Sequence, residues 1–495
     1  MFQRSTVLAL LGGSAAALGH APFHIWFVAV PGFVALFWAV AGAGTRRRAF
    51  WTAWCAGSAY FAITMHWIVE PFLVDAATHG WMAPGALVLM AGGLALFWGL
   101  AGWLSHWLAP SATWRAVVFA LFLTVAELVR GHIFTGFPWA MPAYIWAETP
   151  LRISVAYLGS YGLTAVTLFA AAFVATQPGR LLGPVIGIAL FAAVFGLGQF
   201  RLNDGSNETL LGKVGLVHPN VPQREKWSRE KVPGHLQRLE DLTREMTSAA
   251  EPVDMVVWPE VAVVYPLQAA EGILASVSQA ADGTPILLGI NRREGEDWFN
   301  SMIRLDPNGR VGSIYDKVHL VPFGEYIPFR LGILRAMAAT TSNGFSAGDG
   351  VRLMETPIGQ ALPLICYEGI FPGHAFRVAE RADYILLLTN DAWFGAFAGP
   401  FQHFDQARFR AAEHGLPVVR SANSGVTGVI DRFGNVGPSL GLDDIGSQAD
   451  DVWSGPPTLY ARLGDLPLML FLGVASIGLL LGKIRNTIAN RAASS

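Results

Sequence analysis

Apolar residues are spaced in two different ways along this chain, and the change divides it. Up to about residue 202 they form long, nearly unbroken runs; from about 203 to 460 they form short runs separated by amphipathic stretches; after 461 one long run returns. A helix that crosses a bilayer needs about 20 mostly apolar residues. By that measure the sequence predicts eight spans, at roughly 5–19, 25–43, 50–69, 83–108, 115–130, 153–176, 181–200 and 464–482. The first is short enough to read as a signal-peptide core, yet a second apolar run follows it in place of a small-residue cleavage site and a polar start.

The middle segment has the other spacing. LLGKVGLVHPN at 210–220 reads as a strand, and HLQRLEDLTREM at 235–246 as a helix with Leu236, Leu239, Leu242 and Met246 on one stripe. Strand DMVVWPEVA, helix GILASVSQAAD and strand PILLGINRR come next, then SMIRLDPNGRVGSIY, a hairpin turning at Pro-Asn-Gly. ALPLICYEG, ADYILLLTND and PVVRSANSG complete the strands, with helices expected at 370–381 and 401–414. Such alternation implies a layered α/β domain whose sheets are covered by helices. The predicted organisation is therefore 1–202 as seven spans, 203–460 as an α/β domain, and 461–495 as the last span with a tail.

Composition agrees: 53% hydrophobic residues against 14% charged is too apolar for an ordinary soluble enzyme. A net charge of −2 supplies no basic field, so no nucleic-acid partner is expected. Charge position is more informative than charge total. With the N-terminus inside, Arg4, Arg46, Arg47, Arg48, Arg115, Arg180, Lys483, Arg485 and Arg491 collect on one side, against Arg130 and Arg152 on the other. Both termini are then cytoplasmic and the segment 203–460 lies across the membrane, in the periplasm if the cell is bacterial. Glu127 and Arg130, near the end of the fifth span, either meet a lipid headgroup or pair across one helical turn.

Functional groups of α/β sheets gather where strands end. Here DMVVWPE ends in Glu260, GSIYDK in Lys317, ALPLIC in Cys366, and ILLLTND in Asn390 and Asp391. A free cysteine is commonly core filling, so Cys366 has a structural reading beside the nucleophilic one. The only other cysteine, Cys55, lies in an apparent span, which leaves no disulfide framework. The nucleophilic reading is chemically coherent. A thiol with a pKa of about 8.5 is mostly protonated at neutral pH; Glu260 is suited to take its proton, and Lys317 to favour the thiolate and the oxyanion formed on an attacked carbonyl.

WPE at 258–260, YDKVHLVPFGEYIP at 315–328, ICYEGIFP at 365–372 and NDAWFG at 390–395 resemble the nitrilase, or carbon–nitrogen hydrolase, superfamily, whose catalytic set is Glu, Lys and Cys in that order. With the flanking spans, HLVPFGEYIP and RSANSGVTGVIDRFG at 420–434, the chain resembles the apolipoprotein N-acyltransferase family over almost its whole length. The resemblance implies a multi-pass helical membrane domain joined to a nitrilase-like α-β-β-α sandwich. It also implies a ping-pong transfer in the bacterial inner membrane, from a phospholipid donor such as phosphatidylethanolamine, through a cysteine thioester, to the α-amine of a diacylglyceryl lipoprotein. On that basis Cys366 is the nucleophile, Glu260 the base, Lys317 the oxyanion stabiliser, and Glu325 a second glutamate that positions Lys317 or shares the proton. Tyr367 and Glu368 support the nucleophile, and Trp227 and Trp393 bind substrate from mobile arms. AFAGPFQHF at 396–404 is more apolar than the charged loop the family would lead one to expect.

No metal, no organic cofactor and a monomer are expected. GFSAG at 344–348 matches a serine nucleophile motif, but the strand and helix that Ser346 would need are missing from its flanks. The stretch 327–345 reads either as an arm on the membrane surface or as an ordinary long loop. The competing functions are a membrane-anchored amidase using the same triad with water, and a lipid-binding or transport protein. The second would leave the ordered Glu260, Lys317 and Cys366 unexplained.

Overall fold

The computed structural model describes residues 2–176, 182–203, 208–327, 344–374, 378 and 380–492. The chain divides into two compact units, Met1–Asp204 with Thr458–Ser495, and Gly205–Pro457.

In the first unit, helices occupy the eight apolar segments in turn: α1 (Phe2–Ala17), α2 (Trp26–Ala41), α3 (Arg46–Thr64), α4 (Ala83–Leu108), α5 (Ala112–Arg130), α6 (Val155–Thr176), α7 (Leu182–Leu202) and a last helix, Leu466–Ala492. Among the described residues, five stretches are both long and apolar enough to cross a membrane: Ala76–Leu108, Ala112–Arg130, Pro150–Ala175, Leu182–Leu202 and Leu466–Arg491. The count of eight is not reached on that measure. Helices α1 and α2 have only 16 residues each, and α3 opens on three arginines that lower its hydropathy.

Between apolar helices in lipid, burial gives little net drive, and close packing of small residues does most of the work. A side chain on Gly13 of α1 would lie 2.1 Å from the Ala56 carbonyl oxygen of α3, and one on Gly32 of α2 would lie 2.6 Å from the Ala16 nitrogen of α1. Some polar groups inside this unit form a paired cluster. Arg130 forms a buried ion pair with Glu127 one turn earlier, Trp98 Nε1 donates to Glu127 Oε1 at 2.9 Å, and Arg130 also donates to the Trp139 carbonyl at 2.9 Å. That cluster ties α4 and α5 to the irregular segment after α5, the second of the two readings open to Glu127 and Arg130.

The second unit has two six-stranded sheets. The first contains β1 (Thr209–His218), β2 (Met255–Val257), β3 (Ile286–Glu294), β4 (Asp297–Leu305), β5 (Val311–Asp316) and β12 (Gly446–Ser454), in the order β12-β1-β2-β3-β4-β5. The second contains β6 (Met354–Thr356), β7 (Gly359–Ile365), β8 (Tyr384–Thr389), β9 (Val418–Ala422), β10 (Thr427–Ile430) and β11 (Val436–Leu440), in the order β11-β10-β9-β8-β7-β6. Strands β1, β2 and β3 are parallel, as are β7, β8 and β9.

Period-2 alternation assigns each face. Met255 and Val257 of β2, Leu287 of β3, Ile365 of β7 and Leu386 and Leu388 of β8 point into one core between the sheets. Val256, Ile286 and Leu288 point the other way, onto α8 (Val232–Thr247) and α9 (Glu271–Ala280). Leu362, Leu364, Ile385 and Leu387 meet α10 (Gly399–His414). The result is an α-β-β-α sandwich in which the central strands are buried on both faces, so they read as continuous apolar runs.

The helix expected at 370–381 is replaced by a short 3-10 turn, Cys366–Ile370, and turns through His374; 375–377 and 379 lie outside the described residues. So does most of the arm expected at 327–345. The other difference is at or beside the sheet edges. The sequence reading leaves out β6, β10, β11 and β12: strands such as GSQADDVWS place only one apolar residue, Val452, in the core, lack a continuous apolar run, and are held by pairing with a neighbour.

Replacing Arg130 with Met leaves Glu127 as a buried charge without its cation, which should cost about 3–5 kcal/mol. Thermal unfolding of the detergent-solubilised protein checks this, and adding Glu127→Leu should recover part of the loss.

Candidate active site

Strand direction places the reactive residues together. β5 is antiparallel to β4, which is antiparallel to β3, so β5 runs parallel to β3 and Lys317, just beyond β5, lies at the same end of the sheet as Glu260. In the other sheet Cys366 follows β7 and Asn390 follows β8, again at matching ends.

Glu260 is reached through Trp258 and Pro259, with Trp258 buried and its Nε1 donating to Thr243 Oγ1 of α8 at 2.9 Å. The next residue, Val261, has φ +45°, so the chain turns away sharply after Glu260. The turn fits because Gly289 of β3 has no side chain: a Cβ there would come within 2.4 Å of the Val261 nitrogen and 2.7 Å of the Glu260 Cα. Asn300 Nδ2, from the middle of β4, donates to Glu260 Oε1 at 2.7 Å and lies 3.2 Å from Glu325 Oε1. Glu260 Oε2 is buried with no hydrogen-bond partner among the described residues.

Lys317 is 1% exposed, so its charge must be compensated locally. Its Nζ donates to Glu325 at 2.9 Å and stands 4.0 Å from Glu260 Oε1. Burial works against the ammonium, but Glu325 first, then Cys366 and Glu260, outweigh it and hold the lysine above its ordinary range. Glu325 is fixed in turn by the Val321 N–H, which donates to Oε2 at 2.8 Å.

Cys366 has φ +52°, a left-handed conformation disfavoured for any residue with a Cβ. Two contacts hold it there. His403 Nε2 of α10 lies 3.2 Å from the Cys366 carbonyl oxygen, and His403 Nδ1 faces Asp391 Oδ1 at 2.8 Å. Asp391 also pairs with Arg420 and accepts from Thr389 Oγ1 at 2.8 Å. Burial opposes the Asp391 charge, yet Arg420 and then His403 keep the carboxyl below its usual range. At Cys366 itself burial pushes the thiol well above its ordinary pKa, Glu260 adds to the rise, and Lys317 draws it partly back. The thiol therefore rests protonated beside a carboxylate suited to accept the proton.

Glu368 is fully buried and accepts from the Ile365 N–H at 2.8 Å, the Val318 N–H at 2.8 Å, the His319 N–H at 3.0 Å and Tyr315 Oη at 3.0 Å. Burial raises its pKa, and those N–H groups oppose the rise. Tyr367 is buried edge-on against His319 and Phe371. Trp227 and Trp393 do not belong to the buried cluster: Trp227 is 53% exposed, and Trp393 is half-buried on the turn after Asn390. Asn390 is structural, accepting from Asn423 Nδ2 at 2.9 Å and donating to Gln223 Oε1 at 2.8 Å. Ser346 lies in irregular chain and donates to Asp297 Oδ1 at 2.6 Å.

Sequence reasoning missed three contributors. Asn300 sits inside a hairpin strand, where nothing local marks it. His403 reads as one more helical histidine. Lys226 neighbours Trp227 in a polar run, yet it is buried, with Nζ donating to the Glu260 carbonyl oxygen at 3.0 Å.

A base, two lysines and a protonated thiol, enclosed at the ends of paired sheets, suit covalent acyl chemistry. Comparison with known proteins agrees. Residues 12–173 match the family model described as the apolipoprotein N-acyltransferase N-terminal domain, and residues 213–447 match that of carbon-nitrogen hydrolase. The chain is 37% identical to the apolipoprotein N-acyltransferase of Caulobacter vibrioides, over 97% of this chain and 96% of that protein. It is 35% identical to the one from Brucella melitensis, over 97% and 96%, and 34% identical to the one from Rhodopseudomonas palustris, over 97% and 95%.

Gly289→Ala should push the Glu260 backbone out of place and lower acyl transfer by about 10–100-fold while the α/β unit stays folded. Activity measured beside far-UV circular dichroism separates displacement from unfolding.

Proposed function

The chain belongs to the apolipoprotein N-acyltransferase family, enzymes of lipoprotein N-acylation, and from that membership we propose how its own residues carry the transfer. The donor is a membrane phospholipid, phosphatidylethanolamine foremost, and the acceptor is the α-amino group of an N-terminal diacylglyceryl-cysteine. The observation that carries this reading is the enclosure of Cys366, Glu260 and Lys317 in one buried cluster.

In the first half-reaction Glu260 takes the Cys366 thiol proton as sulfur attacks the ester carbonyl, forming a C–S bond and an oxyanion facing Lys317. The C–O bond then breaks, the departing alkoxide takes the proton from Glu260, and lysophospholipid leaves with the acyl chain held as a thioester. In the second, the acceptor amine attacks the thioester and gives a proton to Glu260. The C–S bond breaks, the thiolate takes that proton, and an amide remains. Glu325 positions Lys317, Glu368 and Tyr367 support the turn that carries Cys366, and Trp227 and Trp393 face the substrates. No step calls for a metal or an organic cofactor, and a single chain supplies every group named.

The protein is a membrane protein on the evidence of its apolar helices. We extend this to eight helices in a bacterial inner membrane, with both termini cytoplasmic and the α/β unit periplasmic, as the distribution of Arg46, Arg47, Arg48, Arg115, Lys483 and Arg485 supports.

Intact-mass measurement after incubation with phospholipid and no acceptor tests the thioester. Wild type should gain one acyl mass that hydroxylamine removes and a diacylglyceryl-peptide discharges. Cys366→Ala should gain none, and Glu260→Gln should form the adduct at least about 100-fold more slowly. An adduct that persists in Cys366→Ala would refute the nucleophile assignment.

A further inference from the structure

The acyl-transfer site holds a second buried lysine. Residues 222–226 turn tightly, with the Lys226 N–H donating to the Pro222 carbonyl at 3.1 Å. Within this turn Glu225 pairs with Lys231 at 2.5 Å outside, while Lys226 points inward and is 4% exposed. The inward ammonium lies against the main chain of Glu260, its Nζ 3.0 Å from the carbonyl oxygen, and Lys317 approaches the same residue at its carboxylate.

Buried charge has to balance. Glu260 and Glu325 bring two carboxylates, and Lys317 offsets one of them, while the nearby carboxyl of Glu368 is held by backbone N–H groups and Tyr315 and, among the described residues, by no cation of its own. Without Lys226 the cluster would keep a net negative charge beside a thiol that must become a thiolate and a carbonyl that must become an oxyanion. The groups facing Lys226 are Glu260 after β2, Cys366 after β7, and His235 of α8, which lines a small cavity with Lys226, Val261 and Asn423. Burial first, and then Arg238, lowers the His235 pKa, which disfavours a charge on that ring.

We propose that Lys226 is a positioning residue for the acyl-transfer reaction: its ammonium holds the Glu260 peptide and offsets the negative charge that gathers on Cys366 and the attacked carbonyl. The proposal rests on the assignment of Cys366 as nucleophile. Burial lowers the Lys226 pKa to about 8, with Glu260 and then Cys366 drawing it back. The charge is therefore complete below that pH and lost as pH rises through it, so thioester formation should fall on its basic limb.

The test is the single-turnover rate of thioester formation by the full-length protein in micelles containing phosphatidylethanolamine, read by intact mass between about pH 6 and pH 10. Wild type should lose rate on a limb centred near pH 8. Lys226→Met should be at least about tenfold slower at neutral pH with saturating phospholipid, should lack that limb, and should keep its half-saturating phospholipid concentration within about twofold. Lys226→Arg, whose guanidinium keeps its charge, should retain most of the rate and shift the limb upward by about one pH unit or more. Rate and limb unchanged in Lys226→Met, or a limb unmoved in Lys226→Arg, overturns the proposal. If Lys226→Met does not fold, the arginine comparison decides alone. Wild type that forms no thioester would instead overturn the assignment of Cys366, whereas acylating wild type with indistinguishable variants removes only the role of Lys226.

Discussion

The candidate site depends on one buried carboxylate whose role is structural. Glu368 takes hydrogen bonds from Ile365, at the end of a strand in one sheet, and from Val318 and His319, just past the end of a strand in the other. Those donors sit immediately beside Cys366 and Lys317. A carboxylate in this position converts the contact between two sheets, which dispersion and burial leave free to slide, into a fixed registration of two chain ends. Cys366 and Lys317 keep their separation because both flank residues bound to the same side chain.

Around that clasp several charges of the site are paired. Lys317 has Glu325, Asp391 has Arg420 and His403, and Asn300 joins the two glutamates that lie near Lys317. Each pair costs desolvation, and none is a strong argument for stability by itself. What the pairs supply is orientation: few side chains in the cluster are free to rotate, and the strained Cys366 backbone is held by His403 and not by its own preference. The membrane unit uses the same device at Glu127 and Arg130, and glycines such as Gly13 and Gly32 let helix backbones touch.

How much of this was legible in the chain follows from what each residue has to do locally. Strands buried on both faces, such as YILLLT, announce themselves, since every position is apolar. GSQADDVWS does not, because its place is fixed by pairing with β1 along nearly its whole length, and that partner lies more than 200 residues away. Glu260, Lys317 and Cys366 were legible because reactive side chains directly follow apolar strands. Asn300 was not, since its Nδ2 meets two carboxylates only once β4 lies between β3 and β5. Lys226 was hidden differently: VPQREKW contains an arginine, a glutamate and a lysine, and only the turn at 222–226 decides which of them faces inward. The helix expected at 370–381 failed where Phe371 and Pro372 end the turn begun by Cys366.

The burial of Cys366 bears on how this protein meets reactive small molecules. A thiol 7% exposed and held protonated offers almost no standing thiolate to a diffusing electrophile. Alkylating reagents that rank cysteines by intrinsic acidity will pass it over, and an oxidant has the same difficulty at the first step of sulfenic acid formation. Under the mechanism proposed above, a covalent ligand for this residue must instead reside in the site long enough for Glu260 to remove the proton. Selectivity would then come from recognition of an acyl chain, with the strength of the warhead a secondary matter.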